Sequence, residues 1–201
     1  MHAWYNTYVD IKINSYLPKT AVEGPGIRFC IWVQGCSICC EGCANSHMWD
    51  KNGGGLVSVN ELVSEILKYR DEIEGVTFLG GEPLEQIEPV TELSKAVQEM
   101  GLSVLVFTGK EYESIKNESS VKELVKYVDI LIDGRYEASK RDFSRPWVGS
   151  SNQKYYFFTD RYNEKIISDY KNKFEVRFDK NSSVSINGMG DFEKINKIIG
   201  S

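Results

Sequence analysis

The stretch Cys36-Ser37-Ile38-Cys39-Cys40-Glu41-Gly42-Cys43 decides how the rest of the chain is interpreted, because it holds four of the 5 cysteines. Taken as Cys36, Cys40 and Cys43, the thiols have the spacing C-x3-C-x2-C. Three thiolates this close together can hold an iron–sulfur cluster, but a 4Fe-4S cluster has four irons to ligate. The fifth cysteine lies upstream in an apolar run, and Cys39 directly precedes Cys40. One iron would therefore stay open for chemistry, as a catalytic zinc keeps one position for its substrate.

Two other interpretations of this loop have to be weighed. Structural zinc sites use four ligands, usually from two C-x2-C pairs, and the sequence has no second pair. His47 lies close enough along the chain to serve as a fourth ligand, so a zinc site stays open as an alternative. A disulfide framework fits less well, because the number of cysteines is odd and the first residues do not have the pattern of a signal peptide.

The composition is that of an ordinary globular protein, with 41% hydrophobic and 26% charged residues in a chain of 201. A net charge of −5 and the lack of a block of Lys and Arg argue against nucleic acid and anionic membranes as partners. No apolar run reaches the length needed to cross a membrane. We therefore expect a protein of the reducing cytoplasm that binds neither nucleic acid nor membrane. An oxygen-sensitive cluster would suit a low-oxygen setting.

Segments with the pattern of strands alternate with segments that have the pattern of helices between residues 27 and 133. This order predicts an α/β fold, with a mostly parallel sheet and helices outside it. Right-handed crossovers would curl the sheet into an open partial barrel. A leading strand is predicted at 5–17, core strands at 29–33, 76–79, 104–107 and 130–132, a loop at Pro18, and helices that begin at the Ser58–Glu61 capping box, near Pro89 and at the Ser120–Glu123 capping box.

The carboxyl ends of parallel strands meet at one rim of a sheet, which is where α/β proteins place their ligands. In this chain the rim would bring the cysteine loop together with Gly80–Pro83, Thr108 and Asp133. Residues 134–153 are polar and would lie over the rim. We predict a core domain at 1–154 and a C-terminal appendage at 155–201 that packs on it. The appendage has strand-like runs at 174–178 and 183–186 and a predicted helix from about Asp191.

Short motifs follow one another between residues 23 and 153: Gly24-Pro25-Gly26-Ile27-Arg28, Gln34-Gly35-Cys36, Cys40-Glu41-Gly42-Cys43-Ala44-Asn45, Trp49-Asp50, Thr77-Phe78-Leu79-Gly80-Gly81-Glu82-Pro83-Leu84, Asp133-Gly134-Arg135-Tyr136 and Trp147-Val148-Gly149-Ser150-Ser151-Asn152-Gln153. Together they resemble the radical SAM activating enzymes. The chain is similar to pyruvate formate-lyase activase and, more strongly, to the activases of anaerobic (class III) ribonucleotide reductases. With several motifs in the right order, chance is a poor explanation.

The resemblance implies a 4Fe-4S cluster whose open iron is chelated by the amino and carboxylate groups of S-adenosylmethionine (SAM). In this family the reduced cluster passes one electron to the sulfonium, and the C5′–S bond breaks to give a 5′-deoxyadenosyl radical. The cofactors supply this chemistry, while the protein supplies binding and orientation. The implied cluster ligands, which are also the implied catalytic residues, are Cys36, Cys40 and Cys43.

The implied SAM contacts come from the strand ends. Gly80 and Gly81 would let the backbone approach the cofactor closely, and Glu82 or nearby carbonyls would receive its ammonium group. Asp133 and Arg135 would bind its other polar groups, since an Arg suits a carboxylate. The full set of cofactor-binding residues is predicted as Gly80, Gly81, Glu82, Pro83, Thr108, Asp133, Arg135 and Trp49.

The resemblance predicts an enzyme that takes a hydrogen from a glycine Cα of a partner glycyl radical enzyme, with anaerobic ribonucleotide reductase as the preferred partner. Flavodoxin or ferredoxin is the electron donor that the resemblance implies. Two alternatives stay open: a radical SAM enzyme acting on another peptide or metabolite, and a non-catalytic iron–sulfur or zinc protein such as an electron carrier.

Overall fold

The computed structural model of this chain describes residues 9–178 and 184–190. Predictions for residues 5–8, for residue 183 and for a helix from Asp191 lie outside the described residues. The strands are β1 (Asp10–Thr20), β2 (Arg28–Val33), β3 (Gly55–Ser58), β4 (Gly75–Gly80), β5 (Ser103–Phe107), β6 (Ile130–Asp133), β7 (Lys154–Phe157), β8 (Phe174–Phe178) and β9 (Val184–Gly188), and the helices are α1 (Val59–Leu67), α2 (Ile87–Glu99), α3 (Tyr112–Ile115), α4 (Ser119–Leu124) and α5 (Lys165–Asp169).

Parallel strands form the centre of the main sheet, whose strand order is β3-β1-β2-β4-β5-β6-β7. The pairings of β2 with β4, β4 with β5, and β5 with β6 are parallel. At the edges, β1, β3 and β7 run antiparallel to their neighbours. The predicted α/β class is confirmed, and the predicted parallel arrangement holds for the central strands of what is a mixed sheet.

The two faces of this sheet are covered by different parts of the chain. Since side chains alternate along a strand, Phe29 and Phe78 lie on the face that packs against α1, α2 and α4. Leu105 and Ile132 lie on the opposite face, where they pack with Trp147 and its neighbours from the second half of the chain. Helices α1, α2 and α4 therefore lie on one face, and the loop after β6 covers the other together with α5, whose Ile166 packs against this second cluster.

Helix α1 begins where its capping box predicts, whereas α4 does not begin at its predicted capping box. The Ser58 hydroxyl accepts a hydrogen bond from the Glu61 main-chain N–H, and the Glu61 carboxylate accepts one from the Ser58 N–H. The capping box predicted at Ser120 is wrong, because α4 begins at Ser119 and its N-cap is Glu118, two residues before the predicted one. Ser120 therefore lies inside the first turn, where its backbone is already helical and its side chain cannot cap the helix.

Strand β1 continues through Pro18, where the sequence predicts a loop. Its register with β2 shifts between Leu17 and Thr20, and this irregularity accommodates a residue without an N–H group. The short edge strands β3 and β7 were not predicted, because four residues are too few to give a clear alternating pattern.

Strands β8 and β9 form a separate antiparallel hairpin, which confirms the two strand-like runs in the C-terminal part as far as the described residues extend. The hairpin contacts the first part of the chain, since the Gly188 N–H donates to a Glu23 carboxylate oxygen at 2.8 Å. The domain division at residue 154 stays a prediction. Among the described residues, no helix combines the length and apolar character needed to span a bilayer.

Candidate iron–sulfur site

The cysteine loop follows the carboxyl end of β2 and is closed at its neck by main-chain hydrogen bonds. The Gly35 N–H donates to the Met48 carbonyl at 2.8 Å, and the Cys36 N–H donates to the Trp49 carbonyl at 3.1 Å. The chain therefore returns to the sheet after the last cysteine, and the loop is held as a closed unit above the strand end.

Three of the four cysteines in the loop line one pocket. Cys36, Cys40 and Cys43 lie on its wall as free thiols. Cys39 does not line this pocket; its side chain is exposed, and its Sγ donates to the Cys36 carbonyl at 3.3 Å. The structure thus brings together the C-x3-C-x2-C set that the sequence indicates. Their role as cluster ligands stays a prediction.

Gly80 and Gly81 bring the end of β4 against the start of the cysteine loop. Gly80 has a φ of +101°, and a Cβ added there would lie 2.8 Å from the Trp32 Cα. A Cβ on Gly81 would lie 2.4 Å from the Gly35 carbonyl oxygen. Both positions therefore require glycine for contact with protein backbone. Both also line the pocket, so their predicted approach to a cofactor stays a prediction.

Glu82 is 1% exposed, and protein donors hold both of its carboxylate oxygens. Oε1 accepts from the Leu84 N–H at 2.9 Å and the Thr108 hydroxyl at 2.7 Å, and Oε2 accepts from the Gly109 N–H at 2.8 Å. Burial raises the pKa of this carboxyl, while these hydrogen bonds and the charge of Lys110 oppose the rise. Glu82 thus connects the ends of β4 and β5. Its predicted bond to an ammonium group would use oxygens that already have protein donors.

The other predicted SAM contacts divide into two groups. Trp49 and Thr108 line the pocket, whereas in the described structure Pro83 and Arg135 do not. Pro83 is buried in the first turn of a short 3-10 helix, where its missing N–H costs nothing. Arg135 is exposed, and its guanidinium lies 3.4 Å from the Ile38 carbonyl of the cysteine loop.

Asp133 is buried at the end of β6 but does not line the pocket. Its Oδ2 accepts from the Tyr112 N–H at 2.7 Å, and its Oδ1 accepts from the Lys154 N–H at 3.2 Å. Burial raises the pKa of this carboxyl, and the main-chain hydrogen bonds act against the rise. These bonds tie β6 to the segments beside it, which gives Asp133 a structural part; its predicted contact with SAM stays a prediction.

The sequence analysis assigned no role to several other residues of the pocket wall. Ile38 packs on Gly109, where an added Cβ would lie 2.6 Å from the Ile38 Cδ1. The Tyr136 ring packs on Gly42, with its Cε1 3.4 Å from the position of an added Cβ. The complete set is Ile38, Gly109, Gly134, Tyr136 and Gln153. Gly134, Tyr136 and Gln153 belong to motifs that carry the family resemblance, so the sequence held a signal for them. It held no such signal for Ile38 and Gly109.

The side chains on this wall fit an iron–sulfur cluster beside a polar cofactor. Thiols are the ligands that such clusters take. The buried Trp49 Nε1 has no hydrogen-bond partner among the described residues, so it is a donor available to a bound group. In the described parts of the chain, no three His, Cys, Asp or Glu side chains are arranged to hold a single metal ion.

The surroundings of Cys36 are negative. Burial raises the pKa of its thiol, and the carboxylates of Glu82 and Glu85 add to the rise, while main-chain hydrogen bonds in the loop act against it. A cysteine ligates metal as the thiolate. A nearby cation favours loss of the thiol proton, so an iron bound at Cys36 would oppose this rise.

The motif Gly24-Pro25-Gly26-Ile27-Arg28 lies at the amino ends of the parallel strands rather than at the pocket. Arg28 is 0% exposed. Its guanidinium donates to the Thr77 hydroxyl at 2.6 Å, the Val76 carbonyl at 2.6 Å and the Ser103 hydroxyl at 2.9 Å. Gly24 has a φ of +145°, and a Cβ there would lie 2.4 Å from the Arg28 Cδ. The motif therefore accommodates a buried arginine and does not contribute to the site.

Comparisons with known proteins agree with this geometry. Residues 22–156 match the family described as "4Fe-4S single cluster domain", and the chain belongs to this class of iron–sulfur proteins. QueE from Escherichia coli, a solved structure, gives a TM-score of 0.42 at 22% identity, over 50% of this chain and 53% of that one. That similarity is too low to bear on the fold.

Curated relatives show which family of iron–sulfur proteins this chain belongs to. The anaerobic ribonucleoside-triphosphate reductase-activating protein of Enterobacteria phage T4 is 36% identical over 150 residues, which cover 71% of this chain and 92% of that protein. The proteins of the same name from Pasteurella multocida and Escherichia coli K12 are 32% and 29% identical, over 72% and 71% of this chain and 96% of each relative. The chain belongs to the family of these activating proteins, which are radical SAM enzymes, and its cofactors are a 4Fe-4S cluster and SAM.

Proposed function

We propose that this chain activates an anaerobic ribonucleotide reductase by taking a hydrogen atom from a glycine Cα of that partner. The relatives are named as activators of such a reductase. The observation that supports the proposal most directly is the shared pocket wall, on which three thiols face the ends of β4 and β5. When bound, the reduced cluster supplies one electron that cleaves SAM to methionine and a 5′-deoxyadenosyl radical, which becomes 5′-deoxyadenosine on gaining the glycine hydrogen.

In this proposal the residues of the pocket hold and shield the cofactors. Cys36, Cys40 and Cys43 would each ligate one iron. Trp49 would limit the access of water and donate through its free indole N–H. The main chain at Gly80 and Gly81 would contact SAM. The other polar groups of SAM would be directed toward residues that follow β5 and β6.

The partner would present its glycine on a loop. Within the cysteine loop, Ser37, Cys39 and Glu41 are exposed, so another protein can reach this rim. We further propose that the sheet has the curvature of an open partial barrel around the pocket, and that a flavodoxin or ferredoxin delivers the electron.

The experiment that tests this function uses the anaerobically reconstituted protein. Reduced with dithionite in the presence of SAM, it should release 5′-deoxyadenosine, measured by chromatography. Added to the purified reductase, it should also produce a glycyl radical signal in the electron paramagnetic resonance (EPR) spectrum.

Each other outcome selects a different function. A protein that binds its cluster and yields no 5′-deoxyadenosine would be an electron carrier. If 5′-deoxyadenosine forms but the reductase gains no radical, the chain is a radical SAM enzyme that acts on another peptide or metabolite.

A further inference from the structure

The short 3-10 helix Pro83–Gln86, together with the residue before it, contacts the cysteine loop on both sides of Cys36. Before that cysteine, the Gly35 carbonyl accepts from the Glu82 N–H at 2.9 Å. After it, the Ser37 N–H donates to the Glu85 Oε1 at 2.8 Å, and the Ser37 hydroxyl donates to the same oxygen. Glu82 and Glu85, one just before this helix and one inside it, therefore bond to the two residues that flank the first cysteine.

Glu85 also forms an ion pair with Lys51. Its Oε2 lies 3.1 Å from the Lys51 Nζ, and its side chain is 16% exposed against 66% for Lys51. Burial acts to raise the pKa of this carboxyl, but the bonds from Ser37 and the charge of Lys51 outweigh it and keep the pKa below its usual range. The carboxylate is thus ionised, oriented, and directed at the loop rather than at solvent.

The far end of the loop is bonded differently. Cys43 donates through its N–H to the Cys40 carbonyl at 3.1 Å, which is a contact inside the loop. Hydrogen bonds to groups that orient a metal ligand set how well the metal is held, and charge near an iron–sulfur cluster sets its reduction potential.

We propose that Glu85 is a positioning residue for the iron–sulfur cluster, which holds Cys36 toward the pocket through Ser37 and lowers the reduction potential of the cluster by its negative charge. This inference rests on the proposed function only in assuming a cluster at the three cysteines. Nothing in the sequence motif distinguishes Glu85 from an ordinary exposed helix residue, because its partner Ser37 lies 48 positions away.

The test compares Glu85→Gln, Glu85→Ala and Ser37→Ala with the wild type after anaerobic reconstitution. Glu88→Gln is the matched control, because it removes the same charge from an exposed position three residues further on. Two quantities are measured: the rate of cluster loss in an iron chelator, followed by absorbance, and the midpoint potential, followed by EPR during a redox titration.

We expect both Glu85 variants to lose the cluster about 10-fold faster or more than the wild type. Ser37→Ala should show a smaller acceleration, because its main-chain N–H still reaches Glu85. Glu85→Gln should raise the midpoint potential, since removing a negative charge favours the reduced cluster. If Glu85 acts through Ser37, the Glu85→Ala/Ser37→Ala double variant should lose the cluster no faster than Glu85→Ala alone.

The inference would be overturned if the Glu85 variants retained the cluster as well as Glu88→Gln does and had the same midpoint potential. It would also be overturned if the Glu85 variants were less stable to heat while both of these quantities were unchanged, because Glu85 would then have a structural part only. If Glu85→Ala does not fold, Glu85→Gln and Ser37→Ala decide the question. If the wild type itself takes up no 4Fe-4S cluster, the proposed function fails and this inference fails with it, whereas a normal wild-type cluster with unaffected variants overturns this inference alone.

Discussion

Two buried polar regions lie at opposite ends of the same parallel strands, and they differ in how completely the protein satisfies them. At the amino ends, the Arg28 guanidinium donates to the side chains and carbonyls of neighbouring strands. At the carboxyl ends, a pocket is lined by three free thiols and by Trp49, whose indole N–H has no partner within the part of the chain that the structure describes. Buried polar groups in native proteins usually have partners. The first region therefore belongs to the scaffold, and the second is ready for a ligand.

The contrast also separates two kinds of family motif. The motif that ends in Arg28 and the motif Gly80-Gly81-Glu82 both resemble those of radical SAM activases. Only the second motif lines the pocket. A shared motif therefore marks either the scaffold or the site, and the hydrogen-bond partners distinguish the two.

The largest expected effect is at the carboxyl ends of the strands. Cys36→Ala, Cys40→Ala and Cys43→Ala should each abolish the visible absorption of the reconstituted cluster, because each removes a ligand. Cys39→Ala should largely retain the absorption, because this thiol does not line the pocket. Loss of iron in Cys39→Ala alone would show that the ligand assignment is wrong.

At the amino ends, Arg28→Leu should lower the free energy of unfolding by about 3 kcal/mol or more, since several buried acceptors would lose their donor. Arg28→Lys should lose less, because a cation remains while the forked geometry does not. Chemical unfolding of the two variants measures the difference. Equal stability of Arg28→Leu and wild type would mean that this region is not the scaffold element inferred above.

Glu23 lies near the same end and gives a pH-dependent prediction. Burial raises its pKa from 4.5 to about 7, opposed by a hydrogen bond from Gly188 and assisted by the charge of Glu175. Between those two pH values the unfolded chain releases the proton while the folded chain keeps it, so the free energy of unfolding should fall as the pH rises through this window. Above this pH window the free energy of unfolding should be lower by about 3 kcal/mol than below it.

Glu23→Gln removes that titration. The variant should be more stable than the wild type at pH 8, and the difference should shrink toward pH 5, as measured by urea unfolding at each pH. A wild type whose stability does not change between these values would contradict the raised pKa.

The smallest expected effect concerns the hydrogen bond between Thr108 and Glu82, which connects the ends of β4 and β5. Thr108→Val removes the hydroxyl that donates to Glu82 at 2.7 Å and should cost about 1 to 2 kcal/mol of unfolding free energy. Thr108→Ser keeps the hydroxyl and serves as the control. If the two variants are equally stable, Glu82 does not depend on this bond, and the carboxyl-end region is less rigid than its geometry indicates.

Much of this protein could be predicted from local patterns. The alternation of apolar segments indicated the central strands, the Ser58–Glu61 pair indicated the beginning of α1, and the spacing of the cysteines indicated the pocket thiols. Each of these signals lies within a few neighbouring residues, so it does not depend on how the chain folds back on itself. The edge strands β3 and β7 were missed because their pairing partners, rather than their own short sequences, make them strands.

The partners of the buried charges could not be predicted in this way. Arg28 bonds to Ser103, Glu82 to Thr108 and Glu85 to Ser37, across 75, 26 and 48 positions of the chain. Asp133 belongs to a motif predicted to contact SAM, and in the folded chain its carboxylate accepts hydrogen bonds from the main-chain N–H groups of Tyr112 and Lys154. Which side chains meet depends on the register of the parallel strands and on the closure of the loops, so only the folded chain decides whether a charged residue serves the scaffold or the site.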